Sequence, residues 1–108
     1  MRSVLEETKF IMDKYKIKAN KSLGQNFLIS DEVIENIIDK SEIKSDDLII
    51  EIGPGLGTLT SCLLEKAKKV ICIELDDKMI EILQDRFKLY NNFELIHNDV
   101  LKVDLQEL

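Results

Sequence analysis

The chain has 108 residues, 44% hydrophobic and 33% charged, which is soluble globular composition for one small domain and too rich in Ile, Leu and Val for disorder. No apolar run approaches the ~20 residues that span a bilayer. Met1 to Phe10 alternates charge with apolar residues and lacks a secretory hydrophobic region, so the expected location is cytoplasmic and no membrane is expected as a partner. The net charge of −6 argues against a general nucleic-acid binder, but it averages two unlike parts: residues 1–30 carry six Lys/Arg against three acids, and residues 31–108 carry nine against eighteen. Cys62 and Cys72 form no C-x-x-C pair and lie in apolar stretches, and the chain has one histidine. A metal site therefore has almost no ligands, and both cysteines read as reduced, buried small hydrophobes.

In chain order, Ser3-Val-Leu-Glu6 has the form of a capping box, and Val4, Thr8, Ile11, Met12 and Tyr15 follow at helical spacing. A helix is predicted from about Ser3 to Lys14. Residues 16–29 lose that periodicity and read as a long loop. Lys14, Lys16, Lys18 and Lys21 make this arm basic, and two readings stand side by side: a solvated surface, or a contact for phosphate backbone. Ser30 or Asp31 caps a second helix with Val33, Ile34, Ile37 and Ile38 on one face, and the polar stretch Ser41–Asp47 ends it. Leu48–Ile52 is a β-branched run of the kind found in buried parallel strands. Thr58–Lys66 is helical, Val70–Glu74 is a second strand, Asp77 caps a helix to about Leu89 with Met79, Ile80, Leu83 and Phe87 inward, and Phe93–His97 is a third strand. Strand, helix, strand, helix, strand is one βαβαβ unit, half of a doubly wound α/β fold. The organisation predicted is an N-terminal helix and loop over residues 1–30, then the α/β unit from Asp31 to Leu108.

The chemistry concentrates at the strand ends. Glu51-Ile-Gly53-Pro-Gly55-Leu-Gly57 follows the first strand, where glycines let backbone turn sharply and approach a ligand, and the next helix aims its N–H groups at the same space. A dinucleotide fingerprint would put its third glycine at position 58, which is Thr58, so the Gly-x-Gly-x-Gly loop with an acid two residues ahead resembles the nucleotide loop of class I methyltransferases instead. Glu74 ends the second strand, where a carboxylate can accept both hydroxyls of a ribose, and Leu75 offers an apolar face to a purine. Asp99 follows the third strand, where an acid can accept from an adenine amino group while Val100 packs on the ring. Asp77 reads as a helix cap, and His97 as a strand-end residue without the partner a general base needs. Adjacent strand ends should bring Gly53, Glu74 and Asp99 to one crevice. These elements point to an adenosine ligand and favour S-adenosyl-L-methionine over a dinucleotide.

Lys21-Ser-Leu-Gly24-Gln25-Asn26-Phe27-Leu28, the loop Glu51-Ile-Gly-Pro-Gly-Leu-Gly-Thr-Leu-Thr60, Glu74-Leu-Asp76 and Asn98-Asp-Val-Leu101 together resemble the small-subunit ribosomal RNA adenine N6-dimethyltransferase family. The resemblance implies a Rossmann-like class I methyltransferase fold, of which this chain holds the first βαβαβ half with N-terminal helices. It implies that Asn26 and Leu28 contact S-adenosyl-L-methionine from the N-terminal loop, with Gln25 shaping the same wall. Gly53 would approach the methionine part, Glu74 the ribose and Asp99 the adenine, while Glu51 would orient the loop or meet the cofactor's ammonium through water.

The implied activity is dimethylation of adenines in small-subunit ribosomal RNA during ribosome maturation, with the small-subunit precursor as partner. The family's catalytic signature, Asn-(Leu/Ile)-Pro-(Tyr/Phe), has no match between Met1 and Leu108, where the single proline is Pro54. The signature is expected beyond Leu108, and no residue of this chain is assigned a catalytic role. The chain is therefore expected to hold cofactor-binding residues, to be inactive by itself, and to self-associate through an uncovered sheet face formed by Leu48–Ile52 and Val70–Ile73. Three competing readings are a large-subunit dimethylase conferring antibiotic resistance, a non-catalytic ribosome-assembly factor, and a nicotinamide-dependent oxidoreductase, the last disfavoured by Thr58.

Overall fold

A computed structural model describes residues 3–17 and 30–108. Its first helix, α1 (Val4–Lys14), starts where the Ser3 hydroxyl accepts the Glu6 N–H at 3.1 Å. Acids at Glu6 and Glu7 and a base at Lys14 suit the helix dipole. Val4, Thr8 and Ile11 are its buried face, as their spacing predicts. Helix α2 (Asp31–Ser41) is capped by Ser30, whose hydroxyl accepts the Val33 N–H, and Asp31 accepts the Val4 N–H at 2.9 Å. That bond ties the starts of the two helices together.

The α/β unit follows as β1 (Leu48–Ile52), α3 (Thr58–Lys66), β2 (Lys69–Glu74), α4 (Asp77–Phe87) and β3 (Phe93–His97). Two 3-10 turns come after it, at Val100–Lys102 and Leu105–Glu107, and Leu108 closes the second by donating its N–H to the Leu105 carbonyl at 3.4 Å. The sheet is parallel in the order β1-β2-β3, pairing Ile52 with Ile73 and Glu74 with His97. The sequence pattern predicts all three strands and the helices between them. The cap of α4 is a correction, because Asp76 and not Asp77 accepts the Lys78 and Met79 N–H groups. Asp77 begins the helix, and its carboxylate points elsewhere.

Side chains alternate across the strands. Ile49, Val70, Cys72, Phe93 and Leu95 share a core with Ile11 of α1, Leu63 and Leu64 of α3, and Met79, Ile82, Leu83 and Phe87 of α4. Those helices therefore cover one face. On the alternate positions Leu48 and Ile52 are 47% and 57% exposed, while Ile71 and Ile73 are 2%. The uncovered face expected over both strands is thus found at Leu48 and Ile52 of β1, an edge strand among the described residues, and not at Ile71 and Ile73 of β2. In α2 only Ile34 is buried and Val33 and Ile37 stay exposed, so the predicted four-residue inner face is narrower than its periodicity.

No helix among the described residues is long and apolar enough to cross a membrane.

Candidate functional site: a crevice at three strand ends

Parallel strands in sequential order put the loops after β1, β2 and β3 side by side. The backbone continues the alignment past the strands, since Gly53 N–H donates to Ile73 carbonyl at 2.9 Å and Asn98 N–H to Glu74 carbonyl at 3.0 Å. Gly53 therefore lies beside the end of β2, and Asn98, the residue before Asp99, lies beside Glu74.

The glycine loop uses its residues for different purposes. Gly53 has φ +66°, and a Cβ there would meet nothing within 4 Å among the described residues. Gly57 has φ +85°, and its Cβ would stand 2.6 Å from the Phe87 ring. Open space at the first and a crowded helix at the second show which end of the loop can admit a ligand. Arg86 fastens the crowded end by donating to the Leu56 carbonyl and to the Glu7 carboxylate of α1. Nothing in the sequence spacing signals that tie, which joins residues 30 and 79 positions apart.

Glu74 is buried, and its carboxylate gathers three backbone donors: Gly55 N–H on Oε1 at 3.2 Å, and Leu75 and Asp76 N–H on Oε2 at 2.9 and 3.0 Å. It is thereby fixed against the first glycine turn. A carboxylate offers about four acceptor sites, so capacity remains for a hydroxyl. Leu75, next to it, is 63% exposed, an apolar side chain left in solvent at the mouth. Asp99 uses Oδ1 to accept the Leu101 N–H at 2.9 Å, and its own N–H is held by Asn98 Oδ1 at 2.8 Å. Val100, half-buried, opens the 3-10 turn that Asp99 caps.

Glu51 lies beneath the loop. Its Oε1 accepts from the Thr60 hydroxyl and from the Cys72 thiol at 3.6 Å. Burial pushes the Glu51 carboxyl above the usual range; the two donors pull it partly back, and the negative charge of Glu74 adds to the rise. Burial likewise pushes the Cys72 thiol up, with Glu51 adding to it, so Cys72 is an unreactive thiol. Both cysteines are free, but only Cys72 is buried; Cys62, expected buried, is half-buried.

One of the predicted readings shifts. His97 has a carboxylate partner after all: Nε2 lies 2.9 Å from Asp77 Oδ1 and 3.2 Å from the Leu75 carbonyl. Of the basic arm, Lys14 lies 3.7 Å from Asp85 and Lys16 is exposed. Gln25, Asn26, Leu28, Lys18 and Lys21 lie outside the described residues. Among the described residues no group of three or more His, Cys, Asp or Glu side chains is placed to hold a metal.

The residues present fit an adenosine-bearing cofactor, since an anchored acceptor, an open glycine and an exposed apolar side chain meet at one mouth. The family model for ribosomal RNA adenine dimethylase matches residues 16–108. The chain belongs to that family. A Clostridium botulinum protein named ribosomal RNA small subunit methyltransferase A is 59% identical over 101 residues, covering 94% of this chain and 37% of that protein. The chain thus spans little more than a third of the length of this relative. Among solved structures, a dimethyladenosine transferase from Plasmodium falciparum superposes with a TM-score of 0.67 at 40% identity, over 72% of this chain and 29% of that one. The 23S rRNA methyltransferase ErmE gives a TM-score of 0.67 at 30% identity, over 73% and 32%. These matches agree with the α/β methyltransferase fold expected from the βαβαβ pattern and the glycine loop.

Proposed function

We propose that this chain supplies the S-adenosyl-L-methionine-binding part of a cytoplasmic enzyme that dimethylates N6 of adenines in small-subunit ribosomal RNA. The observation that carries the reading is the Glu74 carboxylate, fixed by three backbone N–H groups beside the open position at Gly53, in a chain of the ribosomal RNA adenine dimethylase family.

In this reading Glu74 accepts from the ribose, and Leu75 and Val100 pack on the adenine while Asp99 accepts from its amino group. Gly53 and Gly55 let the methionine portion lie against backbone, and Glu51 orients the loop or meets the ammonium through water. Family membership adds Asn26 and Leu28 as cofactor contacts, with Gln25 shaping the same wall. When bound, the cofactor supplies a sulfonium methyl, an electrophile strong enough for direct displacement. What this chain's residues contribute is orientation: they hold the donor so that the methyl faces an incoming amine, a contribution of proximity and alignment. Lys14, Lys16, Lys18 and Lys21 contact RNA phosphate, and the partner is the precursor of the small ribosomal subunit.

The test is methyl transfer from labelled cofactor by the full-length protein onto immature small and large subunits. Two methyls per target adenine in small-subunit RNA is the expected result. Label in large-subunit RNA would favour the second reading, which the likeness to ErmE supports, and no label in either would leave a ribosome-assembly factor.

A further inference from the structure

His97 takes no part in the contacts assigned to the cofactor. It ends β3 in register with Glu74, so the two side chains emerge on the same face of the sheet. Its Nε2 faces two groups, the Leu75 carbonyl at 3.2 Å and Asp77 Oδ1 at 2.9 Å. A carbonyl and a carboxylate oxygen can only accept, so Nε2 must carry the hydrogen. The ring donates into the connection between β2 and α4.

That connection also holds Glu74. The Leu75 carbonyl and the Asp76 N–H belong to one peptide plane and point in opposite directions. The N–H end donates to Glu74 Oε2 at 3.0 Å and the carbonyl end faces the His97 ring. A hydrogen bond on the oxygen therefore sets the direction of the N–H. Without it, rotation of that plane would turn the Asp76 N–H away from Glu74 and leave Oε2 with the Leu75 N–H alone.

We propose that His97 is a positioning residue for Glu74, acting through the Leu75–Asp76 peptide plane to keep that carboxylate set for the hydroxyls of a nucleoside's ribose. The proposal rests on the reading of Glu74 as the ribose acceptor and adds the residue that fixes its geometry. The neutral, Nε2-protonated ring suffices, because the donor and not the charge does the positioning. Asp77, whose side chain is 94% exposed, steadies the ring from the solvent side.

The experiment is calorimetric titration of the full-length protein with adenosine and with 2′,3′-dideoxyadenosine, for the wild type, His97→Ala, His97→Leu and His97→Gln. The two donor-less variants are expected to bind adenosine about 2- to 12-fold more weakly, the factor for one net hydrogen bond, and to bind the dideoxy ligand as the wild type does. His97→Gln, which keeps an N–H donor, is expected to restore most of the adenosine affinity. An equal loss for both ligands, no loss for either, or no recovery in His97→Gln would overturn the proposal. A wild type that does not distinguish the two nucleosides would instead overturn the underlying reading of Glu74, and the proposal with it.

Discussion

Gly53 and Gly57 stand four residues apart in one loop, both at positive φ, in opposite surroundings. At Gly53 a Cβ would meet none of the described residues; at Gly57 it would strike Phe87 and Leu83 of α4. The loop therefore has a packed end and an open end. The packed end is held by α4 and, through Arg86, by α1; the open end is held by the Glu74 carboxylate at Gly55. A glycine-rich motif mixes residues kept for the fold with residues kept for a ligand, and only the neighbours tell them apart.

The largest expected effect separates the two ends. Gly57→Ala adds overpacking of about 1–3 kcal/mol to a positive-φ cost of about 1–2 kcal/mol, so urea unfolding should show the larger loss there. Gly53→Ala carries the φ cost alone, about 1–2 kcal/mol, and should weaken ligand binding more than stability. Equal losses of stability would erase the distinction between the ends.

Glu51 sharpens the comparison from beneath the open end. Burial raises its pKa on folding, so the folded state binds this proton more tightly than the unfolded state does. Its contribution to stability is greatest below the usual carboxylate value and declines as pH rises through the raised value. Glu51→Gln should flatten that decline in a series of unfolding curves from pH 4 upward. An unchanged slope would mean that the carboxyl is not held in the environment described.

The smallest effect concerns the packed side. Lys14 and Lys16 lie at the end of the helix that Arg86 ties to the loop, and Lys14 is already near Asp85. Removing both should lower the salt dependence of RNA binding by about one in slope per lysine that meets a phosphate, with Lys16 the greater contributor. An unchanged slope would confine recognition to other parts of the protein.

The strands and the crevice were legible because their signals are local. Short β-branched apolar runs end close to glycine or acid, and the order of a βαβαβ unit sets their ends side by side. The α4 cap was not, because Asp76 and Asp77 are adjacent residues of the same capping type and only backbone geometry selects one. The inner face of α2 is narrower than expected for a related reason: helical spacing marks a face but not what stands opposite, and Val33 and Ile37 remain exposed. Neither the His97 contact with the β2–α4 connection nor the Arg86 bridge has a spacing signature, since each joins residues distant in sequence.

Glu74 is where the site stands or falls. Calorimetry with S-adenosylhomocysteine on the full-length protein should give binding in preference to NAD. Glu74→Ala should weaken it by about 1–3 kcal/mol, the cost of losing charge-assisted hydrogen bonds. Equal affinity in wild type and variant would remove Glu74 from the site and contradict the assignment of the crevice to an adenosine-bearing cofactor.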